Sequence, residues 1–305
     1  MTNELVLVAS SILGMILCII LPPLYDGIHR KVRATLHCRV GPPILQTWYD
    51  IIKLFSKQEV LPQGASKLFL YAPYITIAYI ILASLMTPLV YQETALSFTW
   101  DVVLLVYFLS SSTILLCLGS MSSGNVFAQE GARRELMVTM LAEFVAILAL
   151  AAICVRTGAV GITGIYAGAR SAHPSVALII ACFVLLVCSY IEGCRLPFEL
   201  PEAEPEIAGG TLIEYSGRRL ALCKLSVLMK QFILVSVTLN VLEPWCSISL
   251  LTGVLGLILK TLLVYLVFAL AEPLFGRYRV DMALRILSML SFVSLLSLVM
   301  AVVGV

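Results

Sequence analysis

The sequence predicts an all-α, polytopic integral membrane protein with about eight transmembrane helices and one amphipathic surface helix. Three observations carry that prediction. Hydrophobic residues make up 60% of the 305-residue chain and charged residues only 12%, more apolar surface than a soluble domain of this size buries. The apolar residues gather in eight runs, each long enough to cross a bilayer. The basic residues fall on alternate loops, the asymmetry that orients a membrane protein.

The runs lie at about 4–24, 69–90, 101–120, 135–156, 174–194, 220–242, 249–273 and 280–303, and form a single transmembrane domain over 1–305. Glu4 precedes the first run where a signal peptide would carry basic residues, so that run is read as a retained helix. Pro22, Pro23 and Pro88 sit near predicted helix ends, where a missing N–H donor is tolerated. The loops after spans one, three, five and seven hold fourteen Lys and Arg residues; those after spans two, four and six hold only Arg156 and Arg170. The odd loops are therefore expected in the cytoplasm, with both termini on the other side of the inner membrane.

Within the first long loop, about 44–57, Ile44, Leu45, Trp48, Ile51, Ile52 and Phe55 recur at helical spacing, with Asp50, Lys53 and Lys57 elsewhere on the wheel. This predicts an amphipathic helix lying on lipid or under a partner; a helix packed on its own bundle fits the pattern equally well. The other long polar stretch, 195–219, carries Glu199, Glu202, Glu204, Glu206 and Glu214 in a chain with only 18 acidic residues. Clustered carboxylates repel one another and favour proton sharing. The competing reading is a solvated acidic loop.

Charges inside the spans are weighed by depth, because charges near helix ends snorkel to the interface. That explanation covers Glu135, Glu192, Lys224 and Glu272. It weakens for Lys230 and Lys260, and fails for Glu143, a little over two turns into the fourth run. Glu143 is thus the buried carboxylate expected to be functional. Asp26 is expected to answer Arg30 or Arg33. Tyr215 offers its hydroxyl to the acidic cluster or anchors the interface, and Gly217 allows a tight turn. The nine cysteines are scattered with no CxxC, and His29, His37 and His173 are dispersed; no metal or redox centre is expected in this chain. No basic stripe with aromatic platforms points to nucleic acid.

The segment RLPFELPEAEPEIAGGTLIEYSG resembles the signature loop of the proton-coupling membrane subunit shared by respiratory complex I and the membrane-bound nickel–iron hydrogenases. HRKVRATLHCRVGPPILQTWYDIIKLFSKQEVLP resembles the first cytoplasmic loop of that family. GARRELMVTMLAE resembles the start of its fourth helix, with Arg134 and Glu143 at the family's spacing. The passage straight from RVGPP to ILQ, Gln58, Glu135 after Arg134, and His37 before Cys38 and Arg39 are similar to the formate hydrogenlyase and energy-converting hydrogenase branch. Pro205 departs from the Gln expected in formate hydrogenlyase.

The resemblance implies a membrane subunit that couples redox chemistry to proton or sodium translocation. Nickel–iron and iron–sulfur centres are then expected in partners: hydrogenase large and small subunits and iron–sulfur subunits, beside antiporter-like membrane subunits and lipid. The proton-coupling residues implied are Glu143, Glu199, Glu202, Glu204, Glu206, Glu214, Glu192 and Glu135, with Arg134, Arg195 and Lys230 as counter-charges. Arg30, Lys31, Arg33, Arg39, Tyr215 and Arg218 are expected at the partner interface. Two alternatives stay open, the quinone-site subunit of a complex I-like NADH dehydrogenase and a stand-alone ion transporter. Against the transporter, the chain lacks paired Gly- and Pro-broken helices at mid-span.

Overall fold

A computed structural model describes residues 2–62, 64–90, 93–171, 175–200, 209–242 and 250–304. Among them are ten α-helices and no strand: α1 (Thr2–Leu36), α2 (Gln46–Ser56), α3 (Lys67–Met86), α4 (Asp101–Met121), α5 (Val126–Thr157), α6 (Ile162–Ser171), α7 (Val176–Glu192), α8 (Gly217–Leu242), α9 (Leu250–Ala271) and α10 (Val280–Val303). Seven of them are long and apolar enough to cross a membrane, and α7, at 17 residues, is a shorter apolar helix. The chain is a multi-pass membrane protein.

Helix ends follow local chemistry. The Ser66 hydroxyl accepts the Phe69 N–H at 3.2 Å and the Ser175 hydroxyl that of Leu178 at 3.3 Å, so α3 and α7 begin there. Asn125 caps α5 through the Phe127 N–H at 2.9 Å, which starts that helix well before residue 135. Its far end stops at Gly158, whose φ of 68° suits a left-handed cap. The first helix continues through Pro22 and Pro23 to Leu36, because its polar extension, Asp26 to Arg33, finds partners on α2, on the loop after α7 and beside α9. Residues 162–171, which lie between the predicted spans, form α6, whose Ile162 N–H is held by the Asp101 carboxylate.

The bundle centres on α8, the most enclosed of the spans, packed against α7, α3, α2 and α1. Lys230, Gln231, Ser236, Thr238 and Asn240 are all buried along it. On a lipid-facing helix such side chains would be costly, so they face protein. The pair α5 and α7 packs on α10, and α3 packs on α4.

The basic loops gather at one end of this bundle. Arg195 after α7 reaches Asp26 of α1, Arg219 of α8 pairs with Glu59 after α2 at 2.6 Å, and Ser216 exchanges hydrogen bonds with the Val60 backbone. Gly217, at φ 53°, makes the turn into α8, where a Cβ would lie 3.1 Å from the Lys57 and Gln58 carbonyls. The amphipathic α2 buries Thr47 and Ile51 against the bundle and leaves Tyr49 and Ile52 exposed.

Candidate functional site

Four helices converge on one cation inside the apolar region. The Lys230 Nζ of α8 lies 3.3 Å from the Glu192 Oε2 at the end of α7 and 3.5 Å from the Glu143 Oε1 of α5. It also donates to the Thr113 hydroxyl of α4 at 2.5 Å. Both Lys230 and Glu192 are enclosed, and Glu143 is nearly so. A buried charge persists only when paired and hydrogen-bonded; one ammonium shared by two carboxylates meets that need.

Glu135 lies eight residues before Glu143 on α5, about 12 Å along the axis at helical rise. It is buried beside the Cys117 thiol. A small cavity of about 20 Å³ is lined by Glu135, Glu192, Lys230, Thr113, Ser112 and Thr76, room for roughly one water. Glu135 also lines a much larger cavity, about 350 Å³, towards the basic end. Glu135, Leu116 and Val227 are thus common walls of the two.

The larger cavity is framed by a second ion network. Arg195 donates to the Asp26 Oδ1 at 2.7 Å, and the Thr47 hydroxyl donates to the Asp26 Oδ2 at 2.8 Å. The Arg195 Nη1 lies 3.2 Å from the His29 Nδ1, and the His29 Nε2 lies 3.0 Å from the Glu272 Oε2. Arg33 completes the chain on the Glu272 Oε1 at 2.6 Å. Burial opposes the Arg195 charge, but Asp26, Tyr265 and Glu272 outweigh it and hold its pKa above the usual guanidinium value. The network ties α1, the loop after α7 and the 3₁₀ turn at Glu272–Leu274 into one unit.

Several expectations change against this geometry. Glu143 is not the sole buried carboxylate: Glu135, Glu192 and Glu272, assigned to snorkelling, are buried more deeply. Asp26 answers Arg195, not Arg30, which lies 3.4 Å from Asp50 instead. Among the described residues Arg195 therefore serves Asp26 of α1. Arg134 sits 3.5 Å from Glu130 on its own helix. Glu199 pairs with Arg277 at 2.8 Å, and Glu214 accepts from the Asn125 amide at 2.5 Å; neither reaches the buried cluster. Glu202, Glu204 and Glu206 lie outside the described residues.

Of the interface candidates, Lys31, Arg39 and Arg218 are exposed. Arg33 is committed to Glu272, and Tyr215 is buried, its ring stacked on Phe69 at 4.4 Å. Burial pushes the Tyr215 phenol up. Sequence reasoning missed His29 and Glu272 as partners; a charge kept inside an apolar run was the available signal. Among the described residues no group of three or more His, Cys, Asp or Glu is placed to hold a metal ion.

Known proteins share this architecture. A chain of the membrane-bound sulfane sulfur reductase, an archaeal respiratory membrane complex, superposes with a TM-score of 0.85 over 96% of this chain and 98% of that one. At 22% identity that likeness speaks for the fold alone. Hydrogenase-4 component C of Escherichia coli K12 is 32% identical over 283 residues, 90% of this chain and 89% of that protein. Formate hydrogenlyase subunit 4 of the same organism is 32% identical over 291 residues, 90% and 94% of the two chains. An NADH-quinone oxidoreductase subunit of Anoxybacillus flavithermus is 30% identical over 269 residues, 83% and 79% of the two chains. Residues 8–303 match the family described as NADH dehydrogenase, and the chain belongs to that family, beside relatives from both hydrogenase and NADH-quinone oxidoreductase complexes.

Proposed function

We propose that this chain is the membrane subunit of an energy-converting nickel–iron hydrogenase complex, anchoring a soluble redox arm and coupling electron transfer to proton or sodium translocation. The carrying observation is the Glu143–Lys230–Glu192 cluster, enclosed by four helices and joined through Glu135 to a polar cavity at the basic end. The hydrogenase-4 and formate hydrogenlyase relatives support the hydrogenase assignment. In this reading the basic end faces the cytoplasm and both termini lie across the inner membrane. The nickel–iron and iron–sulfur centres belong to the large, small and iron–sulfur subunits of the arm, with antiporter-like subunits alongside.

Coupling follows from the geometry. Redox change in the arm alters charge or conformation at the 350 Å³ cavity, where Glu199 takes up protons. Glu135 passes them inward to Glu192 and Glu143. An ammonium held between two carboxylates satisfies either one, so a small shift of Lys230 towards one leaves the other to take a proton. Each pKa unit so moved is worth about 1.4 kcal/mol.

A second reading is the quinone-site subunit of a complex I-like dehydrogenase, which the NADH-quinone oxidoreductase relatives favour. Among the described residues nine charged side chains line the larger cavity, including Asp26, Arg33, Glu135, Arg195 and Glu272; sites for apolar ligands are predominantly apolar. The test is Glu143→Gln, Glu135→Gln and a double Glu204→Gln/Glu206→Gln variant in the assembled complex, measured in inverted membrane vesicles. Hydrogen evolution should persist while coupled proton movement falls on the order of 10²-fold, as for loss of a proton-transferring group. Wild-type proton movement in all three would refute the reading.

A further inference from the structure

The Glu192–Lys230 pair has a neighbour of a different kind. Glu192 and Gly193 are consecutive, as are Lys230 and Gln231, and the two contacts lie side by side between α7 and α8. Gln231 is fully enclosed at 0% exposure, yet neither its Oε1 nor its Nε2 has a hydrogen-bond partner among the described residues. Its carboxamide presses on the Gly193 backbone: a Cβ there would sit 2.8 Å from the Oε1 and closer still to the Nε2. Buried amides are almost always bonded to protein or to ordered water, and an unmade bond is costly. An apolar side chain of the same size would fill this space without that cost.

Position gives the amide a use. Gly193 lines the large cavity at the basic end, and Glu192 lines the small inner one. The carboxamide lines neither cavity itself; it packs behind Gly193, a wall of the larger one, beside Glu192, a wall of the smaller, while Glu135 on α5 is a wall of both. The geometry points to Gln231 as a positioning residue that holds water between the larger cavity and Glu192, giving that carboxylate its own proton connection. Gly193 belongs to the same device, since a side chain there would collide with the amide packed on its backbone. The inference rests on the coupling reading of the buried cluster.

The test uses the assembled complex in inverted vesicles. Gln231→Leu removes the polar atoms at nearly constant volume. Hydrogen evolution from reduced viologen, which reports the arm alone, should stay at the wild-type level. Protons moved per hydrogen formed under the complex's own electron donor should fall about five- to tenfold, what one lost hydrogen bond gives as a rate. Gln231→Glu keeps a water-binding group and should retain coupling with a displaced pH profile, which a space-filling role would not produce. If Gln231→Leu fails to assemble, Gly193→Ala probes the same contact and should lose coupling similarly. Full coupling with an unchanged pH profile in Gln231→Leu, or in Gly193→Ala, overturns the inference. Glu143→Gln, run in parallel, separates the two claims: retained coupling there sinks the coupling reading itself. Lost coupling there with retained coupling in Gln231→Leu sinks only the part given to Gln231.

Discussion

Replacing Lys230 with Met tests whether one ammonium holds the buried cluster together. The two carboxylates lie 3.3 and 3.5 Å from it. With the effective dielectric near 20 that suits buried sites, each pair carries about 5 kcal/mol of attraction. Desolvation of three charges offsets most of this, so the net cost of removing one partner is ~3–5 kcal/mol. Both carboxylates are largely shielded, so solvent screening does not reduce that cost much. A second variant gives the magnitude a check. Lys230→Met combined with Glu192→Gln removes one of the two stranded charges, and should recover about half of the lost stability, ~2 kcal/mol. Heat inactivation of the detergent-purified complex, followed with subunit retention on a sizing column, reads both variants. Wild-type resistance in Lys230→Met, or a double variant no better than the single one, would refute the view that the cluster is held by charge.

Further outcomes follow from the placement of other residues. Reversing Lys31 and Arg39 to Glu should release a soluble arm from membranes while the chain stays inserted, because both side chains are exposed. Arg33→Glu should instead lower the amount of inserted chain, because Arg33 is bound to buried Glu272 at 2.6 Å; membrane fractionation with immunoblotting distinguishes the cases. Gly119→Ala should destabilise by roughly 1–3 kcal/mol through overpacking, since its Cβ would lie 2.6 Å from the Ala72 Cβ and against the Tyr215 hydroxyl. Tyr215→Phe should be nearly neutral alone and should partly rescue Gly119→Ala, as melting of the purified complex would record.

The all-helical, membrane-spanning character of the chain was legible because it depends on residues close in sequence. Apolar length marks a span, and spacing of three and four marks a face. Extents were less legible where a helix continues on tertiary support. Nothing within 25–36 announces a helix running past two prolines; Arg195, Thr47 and Glu272 supply the partners that keep it ordered.

The same division runs through the site. The sequence alone placed Glu143 too deep for snorkelling and made that explanation weaker for Lys230, because depth in a span is a matter of counting residues. It ranked Glu135, Glu192 and Glu272 wrongly, since a position near a helix end leaves a side chain free to turn outward or inward. Only the tertiary structure decided that they turn inward, where Lys230, Cys117, His29 and Arg33 wait on other helices. It likewise decided that Arg195 serves Asp26, 169 positions away (195 − 26), and that Tyr215 stacks on Phe69. Burial of a charge is set by what surrounds it, and those surroundings come from segments whose separation along the chain carries no record of their distance in space.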